Sequence, residues 1–142
     1  MINIVCPNCL KTNRIPQKEH YTKANCGNCG YSLLETKPVD VDATAFAKHI
    51  QYNDIPVVVD FWAQWCGPCR MMAPAFAAAA SRFPLKARFL KLNTEEQQQI
   101  AAQFGIRGIP TIIIFKKGRE VARQSGALPE QQIVQWVAGF TS

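Results

Sequence analysis

All six cysteines of the chain fall into C-x-x-C pairs: Cys6/Cys9, Cys26/Cys29 and Cys66/Cys69. That spacing brings two thiols within reach of one metal ion or of each other, so each neighbourhood must build either a metal knuckle or a dithiol switch. Context separates the pairs. The first two read Cys6-Pro7-Asn8-Cys9 and Cys26-Gly27-Asn28-Cys29, among small polar residues. The third follows Phe61-Trp62-Ala63-Gln64-Trp65 and leads into an Ala- and Met-rich stretch. Met1-Ile2-Asn3-Ile4-Val5-Cys6-Pro7 lacks the basic and apolar regions of an export signal, so a reducing compartment, the cytoplasm, is expected.

Residues 1–36 show no sustained helical or strand periodicity, and a segment this short needs a staple to fold. Cys9 and Cys26 are separated by sixteen residues, within the range of four-thiolate zinc sites. Two tight turns, each aiming two thiolates at one ion, complete a tetrahedron, and Gly27 and Gly30 suit the second turn. Zinc binding in such sites is worth on the order of 10–16 kcal/mol, ample to order so small a core. Two disulfides, or extra redox-active pairs, are the competing reading. His20 is a conceivable further ligand, but four cysteines already satisfy the ion, so a solvent-exposed loop histidine is expected; His49 gives no catalytic signal.

Lys37-Pro38 marks the expected boundary between a four-cysteine zinc-binding segment, 1–36, and a second domain, 37–142. Beyond it the pattern predicts a helix over Ala43–Asn53 capped by Asp42, a buried strand over Pro56–Ala63, and a helix over Gly67–Phe83 kinked near Pro74. A buried strand over Ala87–Asn93 follows, then a helix to Phe104 opened by a Thr94/Gln97 capping box, whose Glu95–Gln99 run is its wet face. Thr111–Phe115 and Glu120–Ser125 form a hairpin with Gly118 in its turn. Pro129 begins a final helix whose apolar face is Ile133, Trp136, Val137 and Phe140. This order predicts an α/β fold, a central mixed sheet with helices on both faces.

Cys66 follows a strand and opens a helix, where free N–H groups and the dipole lower a thiol pKa. Cys69 lies one turn on, close enough for a reversible disulfide, while Trp65 and Gly67 leave Cys66 an apolar, accessible rim. No other cysteine lies after residue 36, which argues against a buried structural pair or half of a metal site. Asp60, between Val59 and Phe61, is expected to be desolvated and to exchange a proton with Cys69, unless it turns toward water at the strand end. Lys91 sits similarly among Phe89, Leu90 and Leu92, with a snorkelling lysine as the alternative.

Trp65-Cys66-Gly67-Pro68-Cys69, with Val59-Asp60-Phe61-Trp62 before it, resembles the active-site region of the thioredoxin family. Lys91-Leu92-Asn93, Gly105-Ile106-Arg107-Gly108-Ile109-Pro110-Thr111, the Phe115–Gly118 turn and Gly126-Ala127-Leu128 match that family in order, over roughly 39–142. The resemblance implies a thioredoxin fold and a protein-disulfide reductase working through a Cys66/Cys69 dithiol. It implies that Lys91 lies near a buried Asp60. It also implies that Pro110 follows a cis bond and that Trp65, Gly67, Pro68, Ile109, Gly126 and Ala127 line the contact surface for disulfide-containing client proteins. Without it, Pro110 reads as a strand-entry proline. Regeneration in the family comes from thioredoxin reductase, which holds the flavin and draws on NADPH; this chain has no dinucleotide fingerprint and no expected organic cofactor. Ser125 and Pro129 depart from residues common in the family, an apolar rim residue and a capping serine. With its zinc-ribbon-like N-terminal extension, the whole chain resembles the zinc-binding thioredoxin 2 subgroup of bacteria, which favours one Zn²⁺ held by Cys6, Cys9, Cys26 and Cys29.

A formal charge of +6 invites a nucleic-acid reading, but the basic residues are dispersed and Lys116-Lys117 is the longest run. No apolar run is long enough to span a membrane, and a monomer is expected. Two alternatives stay open: a zinc-ribbon binding module carrying an inert domain to a nucleic acid or client, and a redox-linked chaperone.

Overall fold

The N-terminal segment has too little apolar surface for a core of its own, and in a computed structural model describing residues 1–141 it takes one from its neighbours. Ser142, the last residue of the expected second domain, lies outside the described residues. Strands β1 (Ile2–Val5) and β2 (Thr12–Ile15) pair antiparallel on either side of the first knuckle. Four residues per strand are too few to show periodicity in sequence, so the ribbon leaves no signal there. The two knuckles repeat one backbone design. Leu10 N–H donates to the Cys6 carbonyl and Gly30 N–H to the Cys26 carbonyl, at 3.0 and 2.9 Å, with both Leu10 and Gly30 left-handed. Of the two glycines expected to serve the second turn, Gly30 has the positive φ. Gly27 does not, and its N–H goes to the Asn13 side chain.

The rest of the chain runs β3 (Val39–Asp40), α1 (Ala43–Tyr52), β4 (Val57–Trp62), α2 (Gly67–Ala80), β5 (Arg88–Asn93), α3 (Gln98–Gln103), β6 (Thr111–Lys116), β7 (Arg119–Ser125) and α4 (Glu130–Ala138). The sheet order is β3-β5-β4-β6-β7, with β3, β5 and β4 parallel and β6 and β7 antiparallel. Alternation along β4 builds both cores. Val57, Val59 and Phe61 pack with Phe46 of α1 and Ile100 of α3 on one face; Val58 packs with Phe76 of α2 and Ile133 and Val137 of α4 on the other. Asp60 shares the parity of Val58, and so lies on the face covered by α2.

Several expected ends move. Asp42 caps α1 through Ala45 N–H as expected, but the helix stops at Tyr52 because Asn53 is extended. The second helix runs through Pro74 and ends at Ala80, after which Arg82 and Phe83 close tight turns. The Thr94/Gln97 capping box does not form. The Thr94 hydroxyl donates to the Trp62 carbonyl, Asn93 Oδ1 accepts from Glu95 and Glu96 N–H, and α3 starts only at Gln98. The β6–β7 loop is two residues, Lys117-Gly118, with φ of 52° and 82°, the positive pair a tight hairpin turn needs. Pro129 sits one position earlier than expected, as the residue before α4.

The ribbon is fastened to the N-terminal ends of β4 and β5. Ile4, Cys6, Cys26 and Leu33 share a core with Ile55 and Leu85. Around it, Asn3 N–H donates to the Asp54 carboxylate (2.7 Å) and Val5 N–H to Asn53 Oδ1 (2.8 Å). Arg88, 3% exposed, donates to the carbonyls of Glu35 (2.9 Å) and Leu33 (3.4 Å). Removing a charged donor from one buried and one part-buried carbonyl costs about 3 kcal/mol. Arg88→Met, which keeps the apolar stem, should therefore lower stability by that amount in urea unfolding and expose residues 1–36 to protease; wild-type resistance on both counts would show that the apolar cluster alone holds the ribbon.

Candidate redox site and thiolate cluster

Buried β4 ends at Trp62, and the chain reverses through Ala63–Trp65 so that Cys66 becomes the N-cap of α2. Cys66 Sγ accepts from the Cys69 N–H at 3.2 Å, with Gly67 and Pro68 filling the first turn between them. A proline is harmless there, since first-turn N–H groups have no helical partner. The two cysteines form a disulfide with Cα atoms 5.3 Å apart. Both are buried, yet they stand beside exposed Trp65, whose indole N–H donates to the Glu95 carboxylate.

The loop before β6 completes one side. The Ile109–Pro110 bond is cis, and the Ile109 carbonyl oxygen lies 3.7 Å from Cys66 Sγ. Gly126 N–H donates to the Pro110 carbonyl at 2.8 Å, and its φ of 95° explains a glycine at that strand end. Gly126, Ala127 and Pro68 are exposed, Gly67 and Ile109 half-buried, and Pro110 buried. The structure thus brings Cys66, Cys69, Ile109, Pro110 and Gly126 into one neighbourhood, with Trp65 held on the Glu95 side. Ser125, where an apolar rim residue is common in the family, is exposed with its hydroxyl 3.4 Å from that of Thr111.

Asp60 is fully buried on the α2 face, and among the described residues neither carboxylate oxygen has a hydrogen-bond partner. Burial pushes its carboxyl up to about 7, and the charge of Lys91 pulls it partly back. Asp60 and Lys91 are register partners across β4 and β5. Among the described residues they form no ion pair, because the Lys91 ammonium lies over the Trp62 ring, 4.3 Å from its centre.

The other four sulfurs lie within 4.8 Å of one another, with Cys6–Cys29 at 3.7 Å and Cys9–Cys26 at 3.6 Å. Sulfurs about 2.3 Å from a tetrahedral zinc ion would stand about 3.8 Å apart, so these edges fit an ion and are far too long for disulfides. His20 is exposed and stands outside this set. Burial drives the Cys6 thiol up to about 12, whereas the Asn13 side chain and then the Cys29 N–H draw Cys26 down to about 6.

Sequence reasoning missed three groups. Arg88 and Asn53 left no periodic signal, because each is a single polar residue at the end of an apolar element. His49, fully buried, accepts at Nδ1 from the Asn53 amide, which puts its proton on an unpartnered Nε2. The asparagines of the knuckles had a visible signal, an identical Cys-x-Asn-Cys order in both.

Residues 37–139 match the family model described as Thioredoxin. Thioredoxin C-3 of Corynebacterium nephridii is 42% identical over 134 residues, covering 94% of this chain and 92% of that protein, a match too long to fit after residue 37 and so reaching into the ribbon. The thioredoxin of Haemophilus influenzae is 44% identical over 65% of this chain and 86% of its own length. Among solved structures, a single-site mutant of thioredoxin from Halobacterium salinarum superposes with a TM-score of 0.69 at 30% identity, over 75% of this chain and 93% of that one.

Two buried groups set opposing pH dependences. Asp60, normally near 3.8, holds its proton in the fold up to about 7, so its contribution makes stability fall as pH rises between those values. His49, normally near 6.5, stays neutral in the fold down to about 3 through burial and the charge of Arg88, so its contribution makes stability rise with pH over that window. Asp60→Asn should leave only the rising limb and add on the order of 4 kcal/mol at pH 8. Denaturant unfolding at pH 4.5, 6.5 and 8 reads this; equal stability of variant and wild type at pH 8 would refute a charge held against burial.

Proposed function

The chain belongs to the thioredoxin family, a family of protein-disulfide oxidoreductases, and from that premise we propose that it reduces client disulfides through Cys66 and Cys69 while a zinc-bound ribbon stabilises its N-terminal end. The observation that carries the reading is a disulfide whose first cysteine caps a helix beside an exposed apolar rim.

In the reduced protein, the helix N-terminus and the Cys69 N–H stabilise a Cys66 thiolate. This thiolate attacks one sulfur of the client disulfide, and the second client sulfur leaves as a thiolate that takes a proton from water. Cys69 then loses its proton, with Asp60 as acceptor, and attacks Cys66 Sγ. The client's remaining sulfur departs as a thiolate, and the two electrons gained by the client are those given up by the Cys66 and Cys69 thiols as their disulfide forms. A carboxyl near pH 7 suits this role, being able to take and return a proton under neutral conditions. Lys91 tunes Asp60 by its charge. Trp65, Gly67, Pro68, Ile109, Pro110, Gly126 and Ala127 receive the client, whose extended backbone can pair with Ile109. Thioredoxin reductase returns two electrons, with NADPH and flavin belonging to that partner.

Cys6, Cys9, Cys26 and Cys29 fit one zinc ion, in the manner of the thioredoxin 2 subgroup. When bound, zinc supplies a redox-inert cross-link between the two knuckles. A structural role is supported by the position of the ribbon at the end of β4 opposite the disulfide, and a reducing compartment such as the cytoplasm by four cysteines spaced for a metal ion rather than for disulfides. No helix among the described residues is long and apolar enough to cross a membrane. One chain suffices for the cycle, so the working unit is a monomer. The nucleic-acid module is disfavoured by the dispersed basic residues and by Tyr21, whose hydroxyl is tied to Pro16 and Lys18 while its ring packs on the ribbon core, which leaves Tyr31 as the ribbon's exposed ring.

Cys66→Ser should abolish catalysed disulfide reduction, Cys69→Ser should accumulate a client joined to Cys66, and Cys6→Ser should leave turnover largely intact. Full turnover by Cys66→Ser would sink the mechanism. Metal and thiol quantification should find one zinc protecting four thiols, with two further thiols appearing reversibly on reduction. Six equivalent thiols without metal would remove the zinc ribbon, and concerted oxidation of all six during turnover would make it a sensor.

A further inference from the structure

The four-sulfur cluster is wrapped in side-chain amides that the cysteine spacing does not require. Both knuckles place asparagine just before the second cysteine, and each asparagine reaches across to the other knuckle. Asn8 Nδ2 donates to Cys29 Sγ at 3.7 Å, and Asn28 Nδ2 donates to Cys9 Sγ at 3.5 Å. Asn13, on β2, serves a third sulfur. Its Oδ1 accepts from Gly27 N–H at 2.9 Å, which fixes the amide orientation and leaves Nδ2 for Cys26 Sγ at 3.5 Å. Cys6, fully buried, lacks a side-chain donor and instead accepts the N–H groups of Asn8 and Cys9 at 3.3 and 3.4 Å. Side-chain amides thus reach three of the four sulfurs, and the two cross-knuckle amides go to exposed Cys29 and half-buried Cys9.

Four thiolates on a divalent ion carry a net charge of about −2 by ligand counting. Each amide donor spreads part of that charge, makes its sulfur a poorer base, and holds it in the ligating rotamer. Asn8 and Asn28 are also exposed, on the side from which a proton or a competing ligand must approach. Resting on the zinc reading above, we propose that Asn8, Asn13 and Asn28 are positioning residues for the metal-bound thiolates and set how long the ion stays.

The test uses the full chain. Zinc release to a chromogenic chelator at pH 7 should be about 10-fold faster in Asn8→Ala and in Asn28→Ala than in wild type, the low end of what outer partners contribute to metal affinity. Asn8→Asp, which keeps the size but sets a carboxylate against Cys29, should release faster still. Asn25→Ala, whose side chain makes no hydrogen bond among the described residues, should match wild type. In cobalt-loaded protein, losing a donor should move the sulfur-to-metal charge-transfer band to lower energy in Asn8→Ala and Asn28→Ala, a shift that altered packing alone would not produce. Wild-type release rates, or faster release with an unmoved band, would overturn the inference while leaving the zinc reading intact. A wild-type chain that takes up neither zinc nor cobalt would overturn both.

Discussion

Burial of β4 on both faces is the constraint from which the rest of the structure follows. Val57, Val58, Val59 and Phe61 are each at most 1% exposed, so the strand can occupy only the middle of a covered sheet. That placement closes Asp60 off from the surface, and burial pushes an ordinary carboxyl up to about 7. It also aims the two strand ends at two different jobs. The C-terminal end delivers Cys66 to the first turn of α2, and the N-terminal end supplies Ile55 as part of the floor on which the ribbon sits.

The same C-x-x-C spacing yields two chemistries because the following backbone differs. After Cys66 the chain continues into a helix, bringing Cys69 round to the same sulfur with nothing else nearby to ligate. After Cys6 and Cys26 the chain turns back within five residues, so each pair faces outward from its turn and meets the other pair. Charge follows geometry. One site balances a single thiolate with helix N–H groups, and the other requires a cation.

How much of this was legible depended on whether a residue acts through pattern or alone. From Ala43 onward the order of strands and helices followed from local pattern, as did the two kinds of cysteine pair and the burial of Asp60, whereas β1, β2 and the two-residue β3 are too short to show one. The capping box failed because both of its N–H groups go to backbone carbonyls, Gln97 N–H to that of Asn93 and Thr94 N–H to that of Trp62, a competition that residue types alone do not rank. Lys91 followed its expected register but spends its charge on Trp62, since the sheet positions a side chain without fixing where its long stem ends. Arg88 and Asn53 were invisible as fasteners because their partners on the ribbon lie at least 48 residues away.

The fastening of the ribbon is chemically one-sided. Apart from one backbone pair, Asp54 N–H to the Asn3 carbonyl, the bonds use side chains on the body, those of Arg88, Asn53, Asp54 and Lys86, and backbone atoms on the ribbon, those of Asn3, Val5, Lys18, Leu33 and Glu35. A peptide group is present whatever residue carries it. Sequence drift along the exposed ribbon positions Asn3 and Glu35 therefore leaves these bonds untouched, whereas drift at Arg88, Asn53, Asp54 or Lys86 of the body removes them. Descendants of this chain can reshape the outer surface of the ribbon freely, provided they inherit the receptacle that holds it.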